Sequence, residues 1–232
     1  MRTRLLSGIE GLLWVGDNRA KVGMADMGEG VRRELEEGVA GEATRVGVGS
    51  EAWHGFMDLL APLAEHNIET YLHCLRVGIY AARLAAEGTD VHPTLALFGG
   101  TAHDIGKIGT PNSVLRADPF GARERRAITG HAIAGFLRLQ FAHYEAALVA
   151  GLHHAFQRDP YGLDLAESFG ASVIAAAKMV SVCDFFDAFL TRHDERYAQD
   201  QRNVGAARHV LDDNFPESPR WSAWLVAHPL SA

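Results

Sequence analysis

Histidines and carboxylates recur through the middle of this chain at spacings that can bring their donor atoms together. Between residues 68 and 86, Glu69, His73, Arg76 and Tyr80 stand at i, i+4, i+7 and i+11, which is one row of a helix. The rest of that stretch (Leu72, Cys74, Leu75, Val77, Ile79, Ala81, Ala82) is apolar. A helix apolar nearly all round is buried, so its polar row should face an internal site. His103-Asp104 follow at the end of the next helical stretch, with Lys107 one turn on. His131 lies beside the apolar stripe Ile128, Ala132, Phe136 and Leu139, and His153-His154 close a run containing Leu148, Val149 and Leu152. The apolar row Val173, Ala177, Val180 then continues as Asp184 and Asp187. Buried carboxylates are costly unless paired, hydrogen-bonded or bound to metal. Asp184 reads as a ligand, and Asp187 as a structural residue that caps another helix.

Glu69, His73, His103, Asp104, His131, His153, His154 and Asp184 together offer eight nitrogen or oxygen donors on five helices. Imidazoles with carboxylates suit iron, manganese, zinc or another borderline divalent ion. Neither cysteine joins the pattern, which argues against a structural zinc knuckle. Adjacent helical residues point about 100° apart. One ion would therefore rarely take both His153 and His154, whereas two neighbouring ions can take one each. Arg76 reads as a structural partner of a carboxylate.

Helices must position these donors. Ser50 and Asn67 are plausible N-caps for helices over about 51–64 and 68–86, and Asp90 with Pro93 opens another that stops near Gly106. Further helical patterns cover about 123–140, 143–156, 171–192, 201–212 and 221–227, and strand signals are almost absent after residue 50. The expected architecture is an all-α bundle of roughly eight helices. Residues 1–50 read as an arm or cap on a main domain of residues 51–232. In that arm, Ile9 to Val15 is a short apolar run, Arg32 to Glu37 has helical charge patterning, and Gly38 to Gly49 looks loop-like.

Composition narrows the function classes. With 22 basic against 29 acidic residues and a formal charge of −7, the chain has no basic field for a DNA or RNA backbone or an anionic membrane. No apolar run reaches the ~20 residues of a membrane span. Glu10 interrupts any signal-peptide core, and two cysteines are too few for a disulfide framework. A cytoplasmic protein is expected.

In order and spacing, these residues resemble the HD superfamily of metal-dependent phosphohydrolases, and within it the HD-GYP branch of cyclic-dinucleotide phosphodiesterases. Glu69-Thr70-Tyr71-Leu72-His73 with Arg76 is similar to the first motif of that branch. His103-Asp104-Ile105-Gly106-Lys107-Ile108-Gly109-Thr110-Pro111 is close to its central motif. His131 with Gly135, the pair His153-His154, and Asp184 with Asp187-Ala188 complete the set. The departures lie outside the ligands. Ala155 to Asp164 contains no Gly-Tyr-Pro, and Thr191-Arg192 to Tyr197 replaces the branch's Arg-Pro-Tyr-Arg stretch.

The resemblance implies phosphoester hydrolysis by a metal-bridging hydroxide at two or three divalent ions, iron or manganese. It puts Asp104 between two ions, with His73, His103 and Asp184 on one and His131, His153 and His154 on the others. Glu69 would complete a third position. Asp104 and Lys107 are the implied catalytic residues, Lys107 neutralising charge on the phosphoryl oxygens. Lys107, Arg192 and Arg196 are the implied substrate contacts, and the implied substrate is a nucleotide or cyclic dinucleotide, cyclic di-GMP among them. Two other readings stand beside this one: a diiron oxygenase of the HD type, and a nucleotide-binding regulatory module without activity.

Overall fold

The protein is described here from a computed structural model, which covers residues 21–165, 167–192 and 203–230. Its order is α1 (Lys21–Arg45), α2 (Ser50–His66), α3 (Ile68–Ala85), α4 (Pro93–Ala102), a 3-10 helix (Ile105–Gly109), α5 (Asn112–Leu115), α6 (Ala122–Ile128), α7 (His131–Leu139), α8 (Tyr144–Leu152), a second 3-10 helix (Glu167–Phe169), α9 (Ala171–Thr191), α10 (Val204–Asn214) and α11 (Pro219–Ala227). The architecture is all-α, with no strand among the described residues. The apolar run Ile9 to Val15 lies outside them.

Helix α3 is the axis of the molecule, and the buried character read from its sequence is what the structure shows. Val77, Tyr80, Ala81 and Leu84 pack into one core with α8, α9, α10 and α11. Cys74, Leu75, Ile79 and Ala82 pack into a second core with α1, α2 and α4. Asn67 caps α3 as expected, its side chain accepting from Thr70 N at 2.8 Å. Helices α3 and α4 approach closely because Gly78 and Gly100 lack side chains. A Cβ on Gly78 would lie 2.1 Å from Thr101 Oγ1, and one on Gly100 would lie 2.9 Å from Gly78 Cα. That contact fixes His73 on one helix relative to His103 at the end of the other.

Two expectations are corrected. The loop-like stretch from Gly38 is helical up to Arg45. Gly38 and Gly41 lower helix propensity, but tertiary contacts outweigh that. Val39 and Ala43 are buried against α3, Glu42 pairs with Arg83 at 2.6 Å, and Tyr71 donates to Glu36 at 2.8 Å. The single helix expected over 123–140 is two, broken at Thr129-Gly130. The break leaves His131 at the start of α7, where its ring can turn inward.

Candidate metal centre

Seven of the eight donors converge, from three helices (α3, α7 and α9) and from the turns that end α4 and α8. They form two groups, His73, His103 and Asp184, and Asp104, His131, His153 and His154, with the donor atoms of each within 4.8 Å of one another. All seven residues are buried. Asp104 stands between the groups. Its Oδ2 is 3.5 Å from His103 Nε2 and 3.8 Å from His73 Nε2, while Oδ1 is 3.0 Å from His131 Nε2 and 3.9 Å from His153 Nε2. Asp184 Oδ1 lies 3.0 Å from His73 Nε2 and 3.6 Å from His103 Nε2.

Glu69 is the exception. It sits in the first turn of α3, exposed, and belongs to neither group. The row it shares with His73 leaves the site there: Glu69 faces solvent, while Asn67 and Thr70 in the same turn are buried. The pair His153-His154 departs from expectation in the other direction, both falling in the same group. The 100° rule does not apply to them because α8 ends at Leu152 and the chain turns away through these two residues.

Backbone carbonyls choose the tautomers. The Nδ1–H of His103 donates to Gly100 O at 2.7 Å, that of His131 to Ile128 O at 2.6 Å, and that of His153 to Ala150 O at 2.7 Å. Each neutral ring therefore turns a bare Nε2 lone pair into the cluster. His131 Nε2 faces His153 Nε2 at 3.4 Å and His154 Nε2 at 3.2 Å. Unshared lone pairs at such distances repel unless a cation or proton lies among them. His103 Nε2 and Asp104 Oδ1 are buried without a hydrogen-bond partner. Orphaned acceptors converging from nitrogen and oxygen ligands fit divalent metal ions.

His73 is held by a carboxylate instead. Its Nδ1–H donates to Asp187 Oδ2 at 2.7 Å, and Arg76 grips the same carboxylate through Nε to Oδ1 at 2.7 Å and Nη2 to Oδ2 at 2.9 Å. Asp187 therefore caps no other helix. It orients the His73 imidazole, and Arg76 has the structural carboxylate partner expected of it. Sequence reasoning placed Asp187 on the correct face without finding this use, which depends on α3 and α9 lying side by side.

The electrostatics follow from burial and pairing. Burial drives the His153 imidazole well below its usual range, and the neighbouring histidines push it further. His154 falls to about 3, through burial and then His131. Burial alone would raise the Asp104 carboxyl, but Lys107, His103 and His131 outweigh it and hold the group well below the carboxylate range. Asp184 is lowered in the same way, against burial, by His103 and His73. For His73, burial is outweighed by bonds to Asp184 and Asp187, and its pKa is raised. Lys107 Nζ donates directly to Asp104 Oδ2.

A cleft of about 780 Å³ opens onto this cluster, with Lys107, His154 and Asp184 in its lining. Its walls carry Arg125 and Arg126 from α6, Arg158 from the turn after α8, and Arg192 at the end of α9. Of the sequence-expected substrate contacts, Lys107 and Arg192 line the cleft, and Arg196 lies outside the described residues. The Arg192 guanidinium lies over the Phe120 ring, 4.7 Å from its centroid, and Tyr161 stacks on His154 at 4.1 Å. The sequence singled out none of Phe120, Arg125, Arg126, Arg158 or Tyr161, since no fixed spacing links them to the ligands.

Comparison with known proteins agrees with the helical architecture. The HD domain model matches residues 70–188, just over half of the chain, and the chain belongs to that family. It is similar to a cyclic di-GMP phosphodiesterase of Thermotoga maritima, 27% identical over 145 residues. That match spans 59% of this chain and 39% of the relative, so the chain corresponds to well under half of that protein. No solved structure matches it. No helix among the described residues is long and apolar enough to cross a membrane.

Proposed function

We propose that the chain is a metal-dependent phosphodiesterase acting on a nucleotide or cyclic dinucleotide. The carrying observation is Asp104, whose two oxygens face opposite ligand groups. Two divalent ions, iron or manganese, suit the two groups. His73, His103 and Asp184 would hold one, His131, His153 and His154 the other, and Asp104 would be shared. Bound there, the ions supply Lewis acidity and lower the pKa of water to near neutral. The chain's own residues do the rest. Asp187 and three backbone carbonyls keep four of the five imidazoles, those of His73, His103, His131 and His153, in one tautomer. Lys107 holds a positive charge against Asp104 at the cleft floor, where it can neutralise charge developing on phosphoryl oxygens. The arginines of the wall attract and orient a phosphate-bearing substrate, although the chain as a whole carries a net charge of −7.

The similarity to the cyclic di-GMP enzyme supports this substrate class. The Gly-Tyr-Pro departure falls on residues 155–164, which contribute Gln157, Arg158, Asp159 and Tyr161 to the cleft. That departure bears on which diester the cleft accepts and leaves the donors that would hold the metal ions untouched. The test is turnover of bis-p-nitrophenyl phosphate and of cyclic di-GMP by protein reconstituted with manganese or ferrous iron, alongside elemental analysis. Hydrolysis with about two ions per chain supports the reading. No hydrolysis of any phosphoester with any metal, combined with oxygen uptake on an organic substrate, would replace it with a diiron oxygenase.

A further inference from the structure

Beside the main cleft lies a second hollow of about 470 Å³, lined by Phe156, Gln157, Arg158, Asp213 and Asn214. Gln157, Arg158 and Asn214 line both spaces, so the two adjoin across these side chains. One wall begins two residues after His154. The other is the end of α10, beyond residue 188 where the family match stops. That second wall is firmly seated. Phe215 is fully buried and meets Phe185 edge-on at 5.8 Å, one residue from Asp184, while Asn214 Nδ2 donates to Val210 O at 2.8 Å. The Asn214 amide is thereby oriented, and its Oδ1 remains as an acceptor.

The two spaces differ in chemistry. Arg125, Arg126 and Arg192 give the main cleft an excess of positive charge suited to phosphate. The hollow offers an aromatic ring, two side-chain amides, and one cation offset by one carboxylate. A phosphate gains little there, because Asp213 opposes it. A flat heterocycle with donors and acceptors on its edge is matched on every count.

We propose that this hollow is a nucleobase subsite, in which Gln157, Arg158 and Asn214 read the edge of a base whose phosphate lies over the metal centre. The assignment rests on the phosphodiesterase reading of that centre and makes α10 a determinant of specificity. Stacking or a bidentate edge contact contributes ~1–3 kcal/mol, about 5- to 150-fold in affinity.

The test is titration calorimetry on the 232-residue chain as purified, comparing the four common nucleoside 5′-monophosphates with ribose 5-phosphate. At least one nucleotide should bind about 10-fold more tightly than the base-free sugar phosphate. Asn214→Ala and Arg158→Ala should each cut that advantage to about threefold or less. Arg158 is exposed, so its variant carries the test even if Asn214→Ala loses the α10 terminus. Equal affinity for all nucleotides and the sugar phosphate would overturn the proposal, as would an undiminished advantage in Arg158→Ala. A failure of diester hydrolysis would instead overturn the phosphodiesterase reading, because this comparison of affinities does not depend on turnover.

Discussion

Beneath the floor of the cleft, His73, His103, His131 and His153 are each fixed from behind, by Asp187 or by a backbone carbonyl three residues earlier. All four are buried, and the glycine contact between α3 and α4 sets the distance between two of them. On the walls, Arg126 and Arg158 are exposed, and the elements carrying them are the short α6 and a turn without regular structure. The contrast separates what the chemistry needs from what the substrate needs. Donor atoms around an ion tolerate errors of only ~0.2 Å, and these four imidazoles are each held through the second ring nitrogen as well as through the backbone. Long cationic side chains that steer a phosphate can adapt, and they need only share a surface.

The largest effect should come from the residue that joins the two ligand groups. Asp104→Asn keeps the volume and removes the charge that faces both sets of imidazoles. Both metal positions should weaken together, with turnover of a generic diester falling by at least ~10³-fold, as expected when Lewis acidity worth several kcal/mol is lost. Elemental analysis and diester kinetics on the same sample check this. Retention of one ion at full stoichiometry would show that the groups are independent.

Asp187→Asn is the next sharper cut, because it touches one group only. Asn can still accept from His73, but Arg76 loses its bidentate partner, and the imidazole loses the carboxylate that enriches it. Replacing such a supporting partner typically costs ~10–100-fold in metal affinity or activity. The loss should fall on the His73, His103 and Asp184 position, leaving the ion at the other group in place. Metal titration resolving two binding steps would show it, and equal weakening of both steps would contradict the division.

These two predictions also mark what the sequence could carry. Helix α9 was readable through its far end because Val173, Ala177, Val180, Asp184 and Asp187 keep one face for four turns. On α3 the inward position of His73 was readable because the other faces of that helix are apolar, whereas the same row gave no sign that Glu69 lies outside the cluster. The break at Thr129-Gly130 was not, since α6 and α7 have compatible apolar patterns, and only the requirement that His131 face inward separates them. Helix α1 was misread at Gly38 and Gly41 because its stability comes from Glu42, Val39 and Ala43 against α3, contacts between residues some forty positions apart. The arginine wall was mostly missed for the same reason, being assembled from α6, the turn after α8 and the end of α9. Charge without spacing leaves no pattern in a single chain.

Acid should disturb the floor before the walls. His153 and His154 are buried neutral, with folded pKa values depressed from about 6.5 in the unfolded chain, His154 to about 3. Their contribution to stability is full above pH 6.5 and is lost as the pH falls toward the folded values. Each can cost about 1.4 kcal/mol per pH unit once the unfolded state binds its proton. His73 acts oppositely around pH 6.5, since its raised pKa favours the folded state until the unfolded imidazole is also charged. Two depressed histidines outweigh one raised one. Chelated protein should therefore lose denaturation midpoint steadily between pH 6.5 and pH 5, and bound metal should reduce that slope by competing with the protons. A midpoint independent of pH across this window would mean that the rings are hydrated or already charged.

The smallest expected change lies on the wall, at Arg192. Its guanidinium rests on the Phe120 ring, which holds it over the cleft, but it is only partly buried. A solvent-screened contact between such a group and a phosphate contributes ~0.5–1 kcal/mol, a factor of about 2–5. Arg192→Ala should raise KM for a nucleotide diester by that factor and leave kcat and metal content nearly unchanged. The difference from wild type should shrink as ionic strength rises, since the contact is screened by salt. Steady-state kinetics in low and high salt make the distinction: a fall in kcat that salt does not alter would move Arg192 from the wall to the floor, among the groups that act on the reacting phosphorus.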